Sequence, residues 1–202
     1  MKLLHLTTMA LLASLSLIIS PNFLSSDNLQ ACEGDKDAFT TASQRLSSVD
    51  QPRIVVRKHD RKLELYSGKK LLKTYKIALG FNPEPDKERE GDGATPEGEF
   101  YVFVKNIKSA YYLSLGLSYP NEEDARRGRQ DGLINAAEYD AILKAIRSKK
   151  MPPQYTKLGG LIYIHGHGTA KDWTWGCVAL ENEDIKELFD VVEVGSPVTI
   201  KH

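Results

Sequence analysis

Three short segments of alternating apolar and polar residues, Arg53–Arg57, Lys62–Tyr66 and Leu71–Leu79, follow one another with only the polar tetrapeptides Lys58–Arg61 and Ser67–Lys70 between them. A period of two marks a strand with one buried face, and connections this short join antiparallel neighbours. The chain is therefore expected to enter its core as an antiparallel meander. Gly80–Gly98, with prolines at 83, 85 and 96 and dense charge, interrupts the pattern; a loop of that length in a compact domain is usually functional or mobile. Strand character resumes at Glu99–Asn106 and Ala110–Leu117, returns at Leu161–Ile164, and closes at Pro197–Lys201. Two helices are expected. Asn135–Lys149 opens on Asn135 with Glu138 three residues on, a capping-box pair, and presents Tyr139, Ile142, Leu143 and Ile146 on one face. The second begins near Asn182, with Ile185, Leu188 and Phe189 turned inward. The sum is an α+β fold: a β-rich sandwich or barrel of mostly antiparallel strands with two helices.

The 202 residues carry 27 basic and 27 acidic side chains. That balance builds no strong positive field, so nucleic acid is not an expected partner. The N-terminus differs in kind. After Lys2 and His5, Leu6–Ile19 is apolar apart from two threonines and two serines, the pattern of a signal peptide and too short for a comfortable membrane span. Residues 1–31 are read as a signal peptide or leader, 32–52 as a linker, and 53–202 as one domain with an insertion at about 121–158. Export to the periplasm or cell envelope follows. Leu29-Gln30-Ala31-Cys32 resembles a lipobox, although Pro21–Asn28 separates it from the apolar run. Anchoring through the leader or a lipidated Cys32 stays open beside ordinary cleavage.

The chemistry concentrates in IYIHGHGTAKDWTWGCVALENEDIKELF, where His165 precedes Cys177 by twelve residues. A free thiol has a pKa of about 8.5, and a partnered imidazole can convert it to a thiolate and later return the proton to a leaving amine. Gly176, lacking a β-carbon, would let a substrate carbonyl approach the backbone N–H groups beside Cys177 as an oxyanion hole. A lone cysteine can equally be an inert core residue. His165, His167, Asp172 and Cys177 could supply metal ligands, but their spacing lacks the regularity of zinc sites. No metal and no organic cofactor are expected. The stretch around Asp131-Gly132 superficially resembles half an EF-hand loop, but Arg127 and Arg129 stand where calcium needs oxygen.

These residues resemble the L,D-transpeptidases, the YkuD domain of bacterial cell-wall enzymes. His165-Gly166 followed by Thr174-Trp175-Gly176-Cys177-Val178 is similar to the family's His-Gly and Ser/Thr-x-Gly-Cys motifs. Gly91–Val102, the LSLGLSYPNEEDARRG segment and Gly195–Ile200 are similar to flanking family segments, so the resemblance covers about Arg53 to Lys201. It implies Cys177 as nucleophile, His165 as base and then acid, and the Gly166 carbonyl as the group that orients the imidazole. The implied substrate is the peptidoglycan stem tetrapeptide, cleaved between the L-centre of its third residue and a terminal D-alanine. The implied acceptor is an amine on a second stem or on an envelope protein, and a monomer is expected. Transfer to water would make a carboxypeptidase or amidase on the same fold, and a non-catalytic wall-binding module is the third reading. Where many members carry His before the Gly-Cys and Arg two residues after the Cys, this chain has Trp175 and Ala179. Tyr119, His167, Thr174 and Trp175 are the further candidates for substrate contact, and the insertion is a candidate lid or cleft wall.

Overall fold

The computed structural model describes residues 49–202. The leader, Cys32 and most of the linker lie outside the described residues. Eight strands form one curled sheet: β1 (Pro52–Arg57), β2 (Lys62–Ser67), β3 (Lys70–Lys76), β4 (Gly98–Ser109), β5 (Tyr112–Leu117), β6 (Tyr163–His165), β7 (Val178–Ala179) and β8 (Pro197–Lys201). Their order is β3-β2-β1-β8-β4-β5-β6-β7. The meander read from the sequence is present, with β1, β2 and β3 paired antiparallel. Two pairs are parallel, β6 with β7, and β1 with β8, which returns from the end of the domain to slot between β1 and β4.

The curl closes through the segment just past β3. Ala78 and Ala179 exchange backbone hydrogen bonds at 2.9 and 2.8 Å, and Phe81 N–H donates to the Thr174 carbonyl at 3.0 Å. The first turn of the long Gly80–Gly98 break is thus tied directly to the loop that carries Cys177. Ile54, Val56, Leu63 and Leu65, the inward set of the alternation, are fully buried with Leu115, Leu117 and Ile164. Each such side chain contributes roughly 1.5–3 kcal/mol by leaving water.

The structure holds three helices among the described residues, not two: α1 (Glu122–Gln130), α2 (Ala136–Arg147) and α3 (Asn182–Val191). α2 starts at the expected Asn135 cap, whose side chain accepts from Glu138 N–H at 3.0 Å while Glu138 caps the Asn135 N–H at 2.8 Å. α1, EEDARRGRQ, escapes a reading by apolar period because only Ala125 is apolar; it is held by the Asn121/Asp124 capping box and by burial of Asp124, Ala125 and Gly128. The insertion builds its own small core from Ala125, Ile134, Ile142 and Leu158. α3 lays Ile185 and Leu188 into the main core, which fixes the outer side of the β6–β7 edge.

Candidate active site

The parallel pairing of β6 with β7 sets Ile164 opposite Val178 and His165 opposite Ala179. Cys177, one residue before β7, therefore comes level with Tyr163, and the Tyr163 N–H reaches its sulfur at 3.4 Å. The thiol in turn points at the Leu161 carbonyl, 3.5 Å away. His165 lies two residues beyond Tyr163, on the same face of the strand, so the imidazole sits diagonally across from the sulfur. Strand pairing alone delivers both groups to one edge.

The imidazole is locked. Its Nδ1 lies 2.7 Å from the Gly166 carbonyl, and a carbonyl can only accept, so Nδ1 carries the hydrogen and Nε2 keeps a lone pair for the cleft. Tyr111 stacks on the ring at 4.6 Å between centroids, and Trp173 meets it edge-on at 5.6 Å. Gly166 is needed for packing as well, since a β-carbon there would collide with the Asn182 side chain and the Tyr111 carbonyl. Burial lowers the pKa of His165 below its ordinary value, against the opposing Gly166 hydrogen bond, with His167 lowering it further. The imidazole is therefore held in its neutral form at pH 7.

Burial acts on Cys177 in the opposite sense and pushes its thiol up to about 11, with the Tyr163 N–H and the Lys87 charge opposing. Both shifts favour a neutral thiol beside a neutral imidazole rather than a standing ion pair. Iodoacetamide should accordingly alkylate Cys177 in the free protein about tenfold faster per pH unit from 7 to 10. The rate is read by mass spectrometry on the Cys177 peptide, and a plateau below pH 8 would mean a preformed thiolate.

The loop before the cysteine is organised by Thr174. Its hydroxyl donates to the Cys177 carbonyl at 2.8 Å and accepts from Gly176 N–H at 3.1 Å. Both of these bonds lie within the loop, and the residue is buried, so Thr174 shapes the turn before Cys177 and does not present its hydroxyl to the cleft. Gly176 N–H is likewise committed to the Thr174 hydroxyl and is not itself a free donor. The glycine is required for another reason: its φ is +118° and a β-carbon would stand 2.5 Å from the Ala94 carbonyl. Tyr119 is fully buried, with its hydroxyl donating to the Leu158 carbonyl at 2.9 Å; it is a core residue and does not line the cleft. His167 is exposed at positive φ, its N–H held by Asn182 Oδ1 at 3.0 Å, beside Tyr111 and outside both cavities described next.

Two cavities of about 310 Å³ each meet at Cys177 and Leu161. One runs past His165, Tyr111, Ser114 and Lys108 along the β4–β5 hairpin. The other is walled by Trp175, by Lys87 and Glu90 of the long break, and by Gln154 and Tyr155 from the end of the insertion. The insertion thus contributes a cleft wall through that last segment. Trp175 is 69% exposed and braced edge-on by Phe81 at 4.7 Å, a free-standing aromatic wall. Tyr111, Trp173, Leu161 and Lys87 were invisible to motif reading: their parts are set by ring stacking, a backbone carbonyl and a buried charge, and only the exposed loop aromatics offered any signal.

A family profile described as the YkuD L,D-transpeptidase catalytic domain matches residues 51–200. The curated relatives include YafK of Escherichia coli K12, named for the same activity and 27% identical over 145 residues. That match covers 69% of this chain but 46% of the relative, so the chain spans about half the length of the curated relatives it matches. Among solved structures, the helical cell shape determining protein Pgp2 from Campylobacter jejuni superposes with a TM-score of 0.52 at 24% identity, over 76% of this chain and 48% of that one. Bd1075 from Bdellovibrio bacteriovorus gives 0.50 at 20% identity over the same shares. Both likenesses are of fold.

Proposed function

From membership of the L,D-transpeptidase catalytic-domain family, to which this chain belongs, we propose that the domain is a cysteine acyltransferase acting on peptidoglycan stem tetrapeptides. The observation that carries this reading is the position of Cys177 at the junction of two cavities, beside an imidazole whose tautomer the Gly166 carbonyl selects. One cavity suits the acyl donor and the other the acceptor. His165 Nε2 takes the thiol proton as sulfur bonds to the carbonyl carbon between the stem's third residue and D-alanine. The developing oxyanion draws on the Cys177 N–H, since Gly176 N–H is held by Thr174. The C–N bond breaks, the imidazolium protonates the leaving D-alanine, and a thioester remains. An acceptor amine then gives a proton to His165 and displaces the sulfur, to which His165 returns that proton, restoring the thiol and the neutral imidazole.

The position where many relatives carry arginine is here Ala179, wholly buried in β7. A contact to a stem carboxylate falls instead to the exposed Lys108 in the cavity wall, since the buried Lys87 ammonium is already bound by Asp92 and the Arg89 carbonyl. The apolar run Leu6–Ile19 supports export to the envelope, where such a substrate lies.

The test is product analysis. Incubated with disaccharide-tetrapeptides, the protein should yield cross-linked dimers and free D-alanine by mass spectrometry, with Cys177→Ala as the blank. Tripeptide monomers alone would assign transfer to water. No Cys177-dependent product of either kind would sink the enzymatic reading and leave a wall-binding module.

A further inference from the structure

Away from the cleft, three exposed residues from distant parts of the chain converge. His59 lies in the β1–β2 turn, Glu84 in the long break, and His202 just beyond β8, and one ligand atom from each lies within 4.8 Å of the others. The backbone builds this corner. Lys58 N–H donates to the Lys201 carbonyl at 2.9 Å, which fixes the turn against the end of β8. The buried Lys58 ammonium bonds the Pro85 and Thr95 carbonyls at 2.7 and 2.9 Å, which fixes the long break beneath both. Arg61 holds one Glu84 oxygen at 3.4 Å, while the other oxygen turns toward His202 at 4.0 Å. The His59 and His202 rings lie 5.8 Å apart between centroids, tilted by 38°. Glu97 adds a fourth group, 3.8 Å from His202.

We propose that His59, Glu84 and His202 form a binding site for one divalent transition-metal ion of the zinc type. Two imidazoles and a carboxylate match that class, whereas magnesium and calcium select oxygen. A tetrahedral ion with ligands at about 2.0–2.1 Å needs them roughly 3.3 Å apart, so these exposed side chains must close by up to about 1.5 Å. Arg61 acts as the group that orients the carboxylate, as ligands commonly require. Its charge and that of Lys58 oppose a further cation, which sets the expected affinity in the micromolar range rather than tighter. No motif announced the site, because its members stand 25 and 118 residues apart in sequence. Occupancy would clip the turn, the end of β8 and the long break together, and that break supplies Lys87 and Glu90 to the cavity beside Cys177.

The experiment titrates zinc by calorimetry into the untagged full chain carrying Cys177→Ala, which removes the competing thiol of the cleft. One ion should bind with a dissociation constant of about 1–50 µM. The His59→Ala and His202→Ala variants should each weaken it at least tenfold, and a large excess of magnesium should not displace it. A saturating ion should raise the melting temperature by about 5 °C, an effect reversed by EDTA and absent in the double histidine variant. Because both histidines are exposed, the apo forms of the variants should melt with the parent. Zinc affinity unchanged in the double variant, binding absent up to about 1 mM, or equal competition by magnesium would each overturn the site. None of these readouts depends on transpeptidase chemistry.

Discussion

Replacing His165 with alanine is expected to slow acylation of Cys177 at pH 7 by about 10³- to 10⁴-fold, the upper part of the range for a general base. The size follows from the resting thiol. With its pKa pushed up to about 11 by burial, the sulfur rests as the neutral thiol at pH 7, so a protein without the base must wait for the small ionised minority. The pH profile separates this cause from simple damage. In the parent, burial holds the imidazole below its ordinary value. The base is then already neutral at pH 7, and the rate should be flat from about pH 7 to 9 and fall in acid as His165 protonates. In His165→Ala the rate should instead climb about tenfold per pH unit across that span, following thiolate. His165→Asn, which keeps polar bulk beneath Tyr111, should behave as the alanine variant does. The measurement is the mass of the thioester-modified protein after short exposure to tetrapeptide. A flat profile in both variants would remove His165 from proton transfer.

The reason this pair could be found in the sequence lies in how it is built. His165 and Cys177 lie on or beside adjacent strands joined by one short loop, so they stand only twelve positions apart in the sequence. The meander was equally accessible, because Leu63 and Leu65 alternate with polar residues and connections of four residues leave little choice of partner. The remainder depends on contacts between distant segments. β8 enters between β1 and β4 from the far end of the domain, and no local pattern announces that. β7 has two residues, too few to display a period. α1 is stabilised by its caps and by Gly128 lying flush against Leu158, with almost no apolar face to read; the spacing of Asn121 and Asp124 was the available clue. Tyr111, which stacks on the His165 imidazole, sits at a hairpin tip where an aromatic residue reads as ordinary surface. Thr174 was found by motif, but a motif names a residue without saying whether its hydroxyl is already spent inside the turn.

Lys58→Met is expected to destabilise the domain by about 2–4 kcal/mol, lowering its melting temperature by roughly 5–15 °C. The lysine side chain is almost wholly buried, and its ammonium is bound at 2.7–2.9 Å by the Pro85 and Thr95 carbonyls and by Glu97 Oε1. Methionine keeps the volume of the stem and removes all three hydrogen bonds. Both carbonyls lose a charged donor; that of the buried Thr95 is left orphaned, at a cost of about 1–3 kcal/mol, while Pro85 is exposed and water can reach it. The carboxylate contributes less, because Glu97 is 28% exposed and water can replace the ammonium there. Glu97→Gln alone should therefore cost no more than about 1 kcal/mol, and adding it to Lys58→Met should cost less than the sum of the two. The same substitution frees the long break from the β1–β2 turn. Protease cleavage within residues 84–97 should accelerate in Lys58→Met by more than the global loss of stability accounts for, measured at a temperature where both proteins are folded. If the melting temperature moves by less than about 2 °C, water has taken the place of the ammonium, and the buried lysine is not what fixes the wall of the cleft.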